Sequence, residues 1–228
     1  MGTTEPRDHR EPLTRERVLR AGVQLADARG LERLSMRTLG RALGVEAMSL
    51  YNHVENKDDL LDGMVDLVIA EVEAPPADTP WKTAMRRRAV SSRAAFARHP
   101  WAVRLVGTRA SAGPARLQHF ENTIGSLRRA GFAPGTAVHA LSTLDGFVHG
   151  FGVHRLHVAE AGAAEDDLPD DAAMAVALAR WLPAGEYPYL NELIRDHVIP
   201  GGYDEDASFA FGLDLILDGL EARLADEA

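Results

Sequence analysis

Residues 35–54, SMRTLGRALGVEAMSLYNHV, gather hydrogen-bonding and basic side chains around one central glycine. Arg37, Ser49, Tyr51, Asn52 and His53, with Lys57 just beyond, are the residue types that meet a nucleic acid. Basic and hydroxyl groups hold phosphate oxygens, and an asparagine can pair with adenine. Other chemistry is sparser. His149, His154 and His157 cluster near one expected helix end, but zinc would need a further well-placed ligand and a closed site, so no metal is assigned. The acid-rich stretch over 158–173 lacks the ordered spacing of a calcium loop and reads as a solvated linker. No Ser/His/Asp arrangement, Gly-rich phosphate loop or carboxylate pair suggests catalysis, and neither an enzyme activity nor a cofactor is expected.

The elements that must position these groups are all helical. Thr14 is placed as the N-cap of a first helix whose face carries Val18, Ala21, Leu25 and Ala28, and Gly30 closes it. Ser35 caps a second, with Met36, Leu39, Ala42 and Leu43 turned inward. Gly44 permits the turn into a third, expected over Val45–Val54. Helix, glycine turn and helix in about twenty residues is the helix-turn-helix layout, whose second helix enters the major groove. Leu39, Leu43, Val45 and Leu50 would lock the pair, leaving Ala47, Met48, Ser49, Tyr51, Asn52 and His53 outside. An ordinary helical hairpin is the competing reading of spacing alone. Asn56 caps a fourth helix over 57–73, which ends at the proline-rich EAPPADTP, residues 73–80.

Beyond this break, helices are expected near 81–98, 101–107, 115–130, 134–157, 172–182, 187–198 and 205–225, with no alternating strand pattern. Segment 134–157 carries apolar residues on more than one face (Ala137, Val138, Leu141, Leu144, Phe147, Val148, Phe151), so it requires cover on two sides. Leu213, Ile216, Leu217, Leu220 and Leu224 pattern the last helix. Trp81, Trp101 and Trp181 read as core or helix-junction packing. The fold class is all-α.

Composition bounds the rest. The 228 residues are 46% hydrophobic and 26% charged, enough for a core and against disorder throughout. The absence of cysteine excludes disulfides and thiolate metal sites. No apolar run suits a membrane span or a signal peptide, so a cytoplasmic location and no membrane partner are expected. The net charge is −9, yet residues 1–60 balance ten Arg/Lys against ten Asp/Glu. A neutral head on an acidic body suits a DNA-binding unit joined to one that does not bind DNA.

The stretch LTRERVLRAGVQLADARGLERLSMRTLGRALGVEAMSLYNHVENKDDLLDGM resembles the DNA-binding domain of the TetR family of transcriptional regulators, and its run LGVEAMSLYNHVENKDDLL is close to the family signature. VRLVGTRAS, FENTIGSLRRAGF, AVHALSTLDGF and FAFGLDLILDGLEARL resemble, in order, segments of a tetracycline-repressor-type C-terminal domain. The resemblance implies a flexible arm over 1–13, a three-helix helix-turn-helix domain over 14–60 and a ligand-binding, dimerising body over 61–228. Its DNA-contacting positions fall on Ser35, Arg37, Ala47, Met48, Ser49, Tyr51, Asn52, His53 and Lys57. Ala47, Met48 and Asn52 differ from the tetracycline repressor, which puts a tetracycline operator in doubt. The helices near 134–157 and 205–225 are implied to pair with their copies in a homodimer.

The same resemblance places a small-molecule effector among Arg88, Ser92, Leu105, Thr108, Phe120, Thr123, Val138, Leu141 and Ser142. A tetracycline–magnesium site is not kept: Leu105 stands where a metal-binding histidine would be, and the residues that grip the drug correspond to Glu73, Arg88 and Thr123, of which only the last partly keeps its character. Arg88 has two readings, a surface arginine or a partner for an anionic or carbonyl-bearing ligand. The expectation is a ligand-released repressor acting as a dimer on a pseudo-palindrome. Its alternatives are an activator, a corepressor-dependent repressor, or a helical ligand-binding protein without DNA binding.

Overall fold

The computed structural model describes residues 12–109, 113–160, 182, 186–198 and 204–227, with side chains of 154–160, 197, 198 and 227 left aside. The N-terminal arm up to residue 11, most of 158–173, the helix expected over 172–182, Trp181 and the side chains of His154 and His157 lie outside the described residues. Among the described residues ten α-helices follow in order: α1 (Arg15–Arg29), α2 (Met36–Leu43), α3 (Ala47–Leu50), α4 (Lys57–Ala70), α5 (Trp81–Arg98), α6 (Pro100–Val106), α7 (Pro114–Arg129), α8 (Pro134–Glu160), α9 (Pro188–Leu193) and α10 (Glu205–Glu227). Among the described residues there is no strand, and no helix is long and apolar enough to cross a membrane.

The helix starts follow from capping chemistry. Thr14 Oγ1 accepts from Arg17 N, Ser35 Oγ from Thr38 N and Asn56 Oδ1 from Asp59 N. Thr38 returns the bond to Ser35 N at 2.9 Å, completing a capping box. Pro100, Pro114, Pro134 and Pro188 open four further helices, where a missing N–H costs no hydrogen bond.

Three elements depart from expectation. The third helix has one α turn and then tightens: Tyr51 N, Asn52 N and His53 N bond to carbonyls three residues back. Ala42 is exposed, because Leu39 and Leu43 already fill the inward face of so short a helix. The segment expected as one helix over 187–198 ends its α turns at Leu193 and widens into a π turn over Ile194–Val198.

Two hydrophobic cores hold the chain. The first unites Val18, Leu25, Leu34, Leu39 and Leu50 with Leu60, Met64, Val68 and Val72 of α4 and its exit, and with Ala95, Trp101 and Ala102. The second is built on Met85, Ala89, Leu127, Phe132, Leu144, Val148, Leu213 and Leu217. Phe132 is fully buried, with the Trp81 ring edge-on at 4.9 Å between centroids. Phe147, Phe151 and Phe209 form a second aromatic cluster, with the Arg93 guanidinium 4.7 Å from the Phe209 ring centre.

Candidate functional site

The α2–α3 pair is set by two glycines. Gly44 takes φ 69, ψ 30, the left-handed conformation that ends α2. Gly40 lets the helices touch, since a Cβ there would lie 2.9 Å from Val45 O and 3.2 Å from Ala47 N. With Leu39 and Leu50 fully buried beneath, the pair has an outward face. Met48 is 75% and Tyr51 44% exposed, and Arg37, Asn52 and Lys57 are exposed beside them. Ala47, Ser49 and His53 are half-buried at the edge. Ser35 is also half-buried, its hydroxyl engaged in capping α2. One exposed arginine went unremarked in the sequence: Arg41 stands one helical turn from Arg37, an i, i+4 spacing that marks a shared face.

This face is tied to the chain behind it. Arg15 of α1 donates to His53 O at 2.9 Å and to both carboxylate oxygens of Asp59 at 2.8 and 2.6 Å. The Arg15 hydrogen bond holds the Asp59 carboxyl below its ordinary range. Lys57 therefore opens α4 next to a fixed anchor.

The far end of α4 reaches a cavity. About 300 Å³ in volume, it is walled by Ile69 of α4, Arg88, Ser92 and Phe96 of α5, Val106 and Gly107 at the end of α6, Arg116, His119 and Phe120 of α7, and Asp145, Gly146, Val148 and His149 of α8. A second hollow of about 240 Å³ lies against Glu73–Ala77, Met85, Asn122, Thr123, Ser126 and Arg129, and shares Arg88 and His119 with the first. Of the sequence-derived ligand residues, Arg88, Ser92 and Phe120 line the cavity and Thr123 lines the second hollow. The other five line neither. Leu105 packs against the first core, Thr108 is exposed with its hydroxyl donating to Arg104 O at 2.9 Å, Val138 and Ser142 are exposed, and Leu141 is half-buried.

Arg88 is not a surface residue; it is 3% exposed. Its Nε donates to His119 Nε2 at 2.8 Å and its Nη2 to the Asp145 carboxylate. Burial and then the nearby Arg88 charge push the His119 ring down to about 4, so near neutral pH it is uncharged. Because Nε2 accepts from Arg88, the neutral ring carries its proton on Nδ1. His119 and Asp145 were absent from the sequence-derived set. Their signals were spacings: His119 one turn from Arg116, and Asp145 one turn from His149.

Polar clamps connect α4 to the cavity walls. Asp66 accepts from Ala115 N and Arg116 N at 3.2 and 2.9 Å, capping α7. Arg109 donates to Asp62 and to Asp58 O. Farther along, Asp27 of α1 accepts from Trp101 Nε1 at 2.6 Å and faces His99 Nδ1 at 2.8 Å, while His99 Nε2 faces Glu71 at 3.1 Å. Among the described residues, no group of three or more His, Asp or Glu is placed to hold a metal ion.

An outward helix-turn-helix face and a hollow helical body, sharing one helix, are the architecture of a helix-turn-helix transcriptional regulator. Residues 18–64 match the family described as bacterial regulatory proteins, tetR family, and residues 74–224 match the tetracyclin repressor-like, C-terminal domain. The chain is 36% identical over 228 residues to the HTH-type transcriptional repressor DrrR1 of Streptomyces coeruleorubidus, covering 98% of this chain and 83% of that one. It is 31% identical over 213 residues to the tetracycline repressor protein class A from transposon 1721 of Escherichia coli, covering 90% and 89%. The structure of the Streptomyces coelicolor TetR family protein ActR in complex with actinorhodin gives a TM-score of 0.78 at 30% identity, covering 93% of this chain and 99% of that one. The chain belongs to the TetR family of bacterial transcriptional regulators.

Proposed function

We propose that the protein is a homodimeric repressor that binds a pseudo-palindromic operator and is released by a small molecule other than tetracycline–magnesium. One observation carries this reading: α4 begins with exposed Lys57 beside the α2–α3 face and ends with Ile69 in the cavity wall. A ligand that prefers one position of α4 has a mechanical route to the head through the Asp66 and Arg109 clamps. That the related ActR was solved with actinorhodin and with (S)-DNPA supports a ligand-binding role for this cavity. Leu105, a hydrocarbon where the tetracycline repressor has a metal ligand, favours a different effector.

The dimer reading rests on uncovered helix faces. Phe211 is 68% and Leu215 59% exposed one turn apart on α10, and a Cβ at Gly146 or Gly150 of α8 would meet nothing within 4 Å. Two such faces from two copies would give α8 and α10 their second cover. In-vitro selection of duplex DNA with the purified chain tests the whole reading. Enrichment of an inverted repeat with half-sites about 34–36 Å apart is expected; no enrichment with or without cell-extract metabolites would overturn it. On the selected site, Tyr51→Ala and Lys57→Ala should weaken binding to all sequences, the latter lowering the salt slope by about 1, whereas Asn52→Ala should alter sequence preference.

A further inference from the structure

The guanidinium of Arg88 is not fully paired. His119 takes its Nε hydrogen and Asp145 takes one from Nη2, but Nη1 is buried with no hydrogen-bond partner. A buried charged donor left unpaired is costly, and the residue that carries this one lines both the cavity and the second hollow. His119 cannot supply the missing acceptor, because its Nε2 is already taken. Asp145, with its side chain 45% exposed, compensates the arginine from the wet side only.

The surrounding charge points the same way. The two linings together hold Arg88, Arg116 and Arg129 against Glu73 and Asp145, a formal excess of one positive charge in a chain whose total is −9. Glu73 is in turn engaged by Arg87. Opposite the arginine the cavity is apolar, with Phe96, Phe120 and Val148, and the Arg116 guanidinium stands 5.5 Å from the Phe120 ring centre.

We propose that Arg88 Nη1 anchors an acidic oxygen, a carboxylate or an ionised phenol, on a planar aromatic ligand whose rings pack against Phe96 and Phe120. This rests on the reading of the cavity as the effector site and specifies the chemical class it takes. A neutral carbonyl would satisfy an N–H, whereas an acid also matches the positive sign of the lining, so the acid is preferred. His119 is the positioning residue that holds the guanidinium with Nη1 presented to the ligand.

The test is calorimetry on the full chain without DNA, using anthraquinone-2-carboxylate and its carboxamide as probes. The acid is expected to bind about ten- to hundredfold tighter than the amide, as a hydrogen bond to a charged group implies. Arg88→Gln should level the two. Asp145→Asn, which removes the competing carboxylate, should widen the preference for the acid over the amide, a direction that a damaged fold cannot produce. Equal affinities, no binding of either probe, or a preference that survives Arg88→Gln would overturn the proposal. DNA release is measured separately. An acid held through Arg88 that leaves DNA affinity unchanged would sink the effector reading and leave the anchor standing.

Discussion

The head and the body of this molecule are held by different kinds of contact. In the head, caps and turns join residues a few positions apart: Thr14 to Arg17, Ser35 to Thr38, Asn56 to Asp59, and Gly44 to Gly40. In the body, the polar contacts span the chain. Arg88 pairs with Asp145 57 residues on, Arg93 with Asp206 113 on, and Lys82 with Glu221 139 on. The head thus presents side chains outward from a locally specified frame. The body makes its cavity communally, from four helices and the end of a fifth. A surface residue of the head can be changed almost by itself, while a cavity residue of the body carries its partners with it.

The largest effect should come from breaking the body's core. Phe132→Ala removes a fully buried ring in contact with Trp81 and should cost about 3–5 kcal/mol in denaturant unfolding; a loss below about 1 kcal/mol would mean that this core collapses freely around the gap. Next is Gly40→Ala, which forces a methyl against Val45 O and Ala47 N. We expect about 1–3 kcal/mol of destabilisation, with operator binding lost and probe binding in the cavity retained. If both binding activities fell together, the head and body would be less separable than their contacts suggest.

Acid should then find the body through His119. Its folded value of about 4 lies below the ordinary 6.5, so between those values the unfolded chain binds a proton that the folded chain refuses. This contribution is complete above pH 6.5 and is lost as pH falls towards 4, on the order of 3 kcal/mol. His119→Gln should flatten that part of the stability–pH curve, and an unchanged curve would contradict the buried neutral ring. The smallest effect belongs to the head's surface clamp. Arg15→Ala should cost under about 1 kcal/mol, while an NMR titration should show the Asp59 carboxyl rising towards its ordinary range, since that pair holds it low.

How much was legible follows the same division. Thr14, Ser35 and Asn56 could be named as caps because a cap is read from a residue type and its distance to a helix start. The exposed residues at 48, 51 and 52 follow from which positions the inward face leaves over, and Lys57 from its place just past that helix. The third helix was overextended because periodicity does not distinguish an α turn from the tighter turns that carry the chain through His53. The acidic balance of the body obscured its positively lined hollow, because net charge records no positions. Leu105, Thr108, Val138, Leu141 and Ser142 were placed near a ligand by similarity of segment. The cavity wall includes Val106, Asp145, Val148 and His149, and those five lie outside it.

The sequence by itself determined the all-helical class, the helix-turn-helix with its outward face and the family, since each is carried by residue types and their spacing along the chain. Only the tertiary structure decided that Arg88 is buried, that His119 is its acceptor and that its Nη1 is left without a partner. Burial and hydrogen-bond satisfaction belong to the space between helices, and residues 31 and 57 positions away set them there.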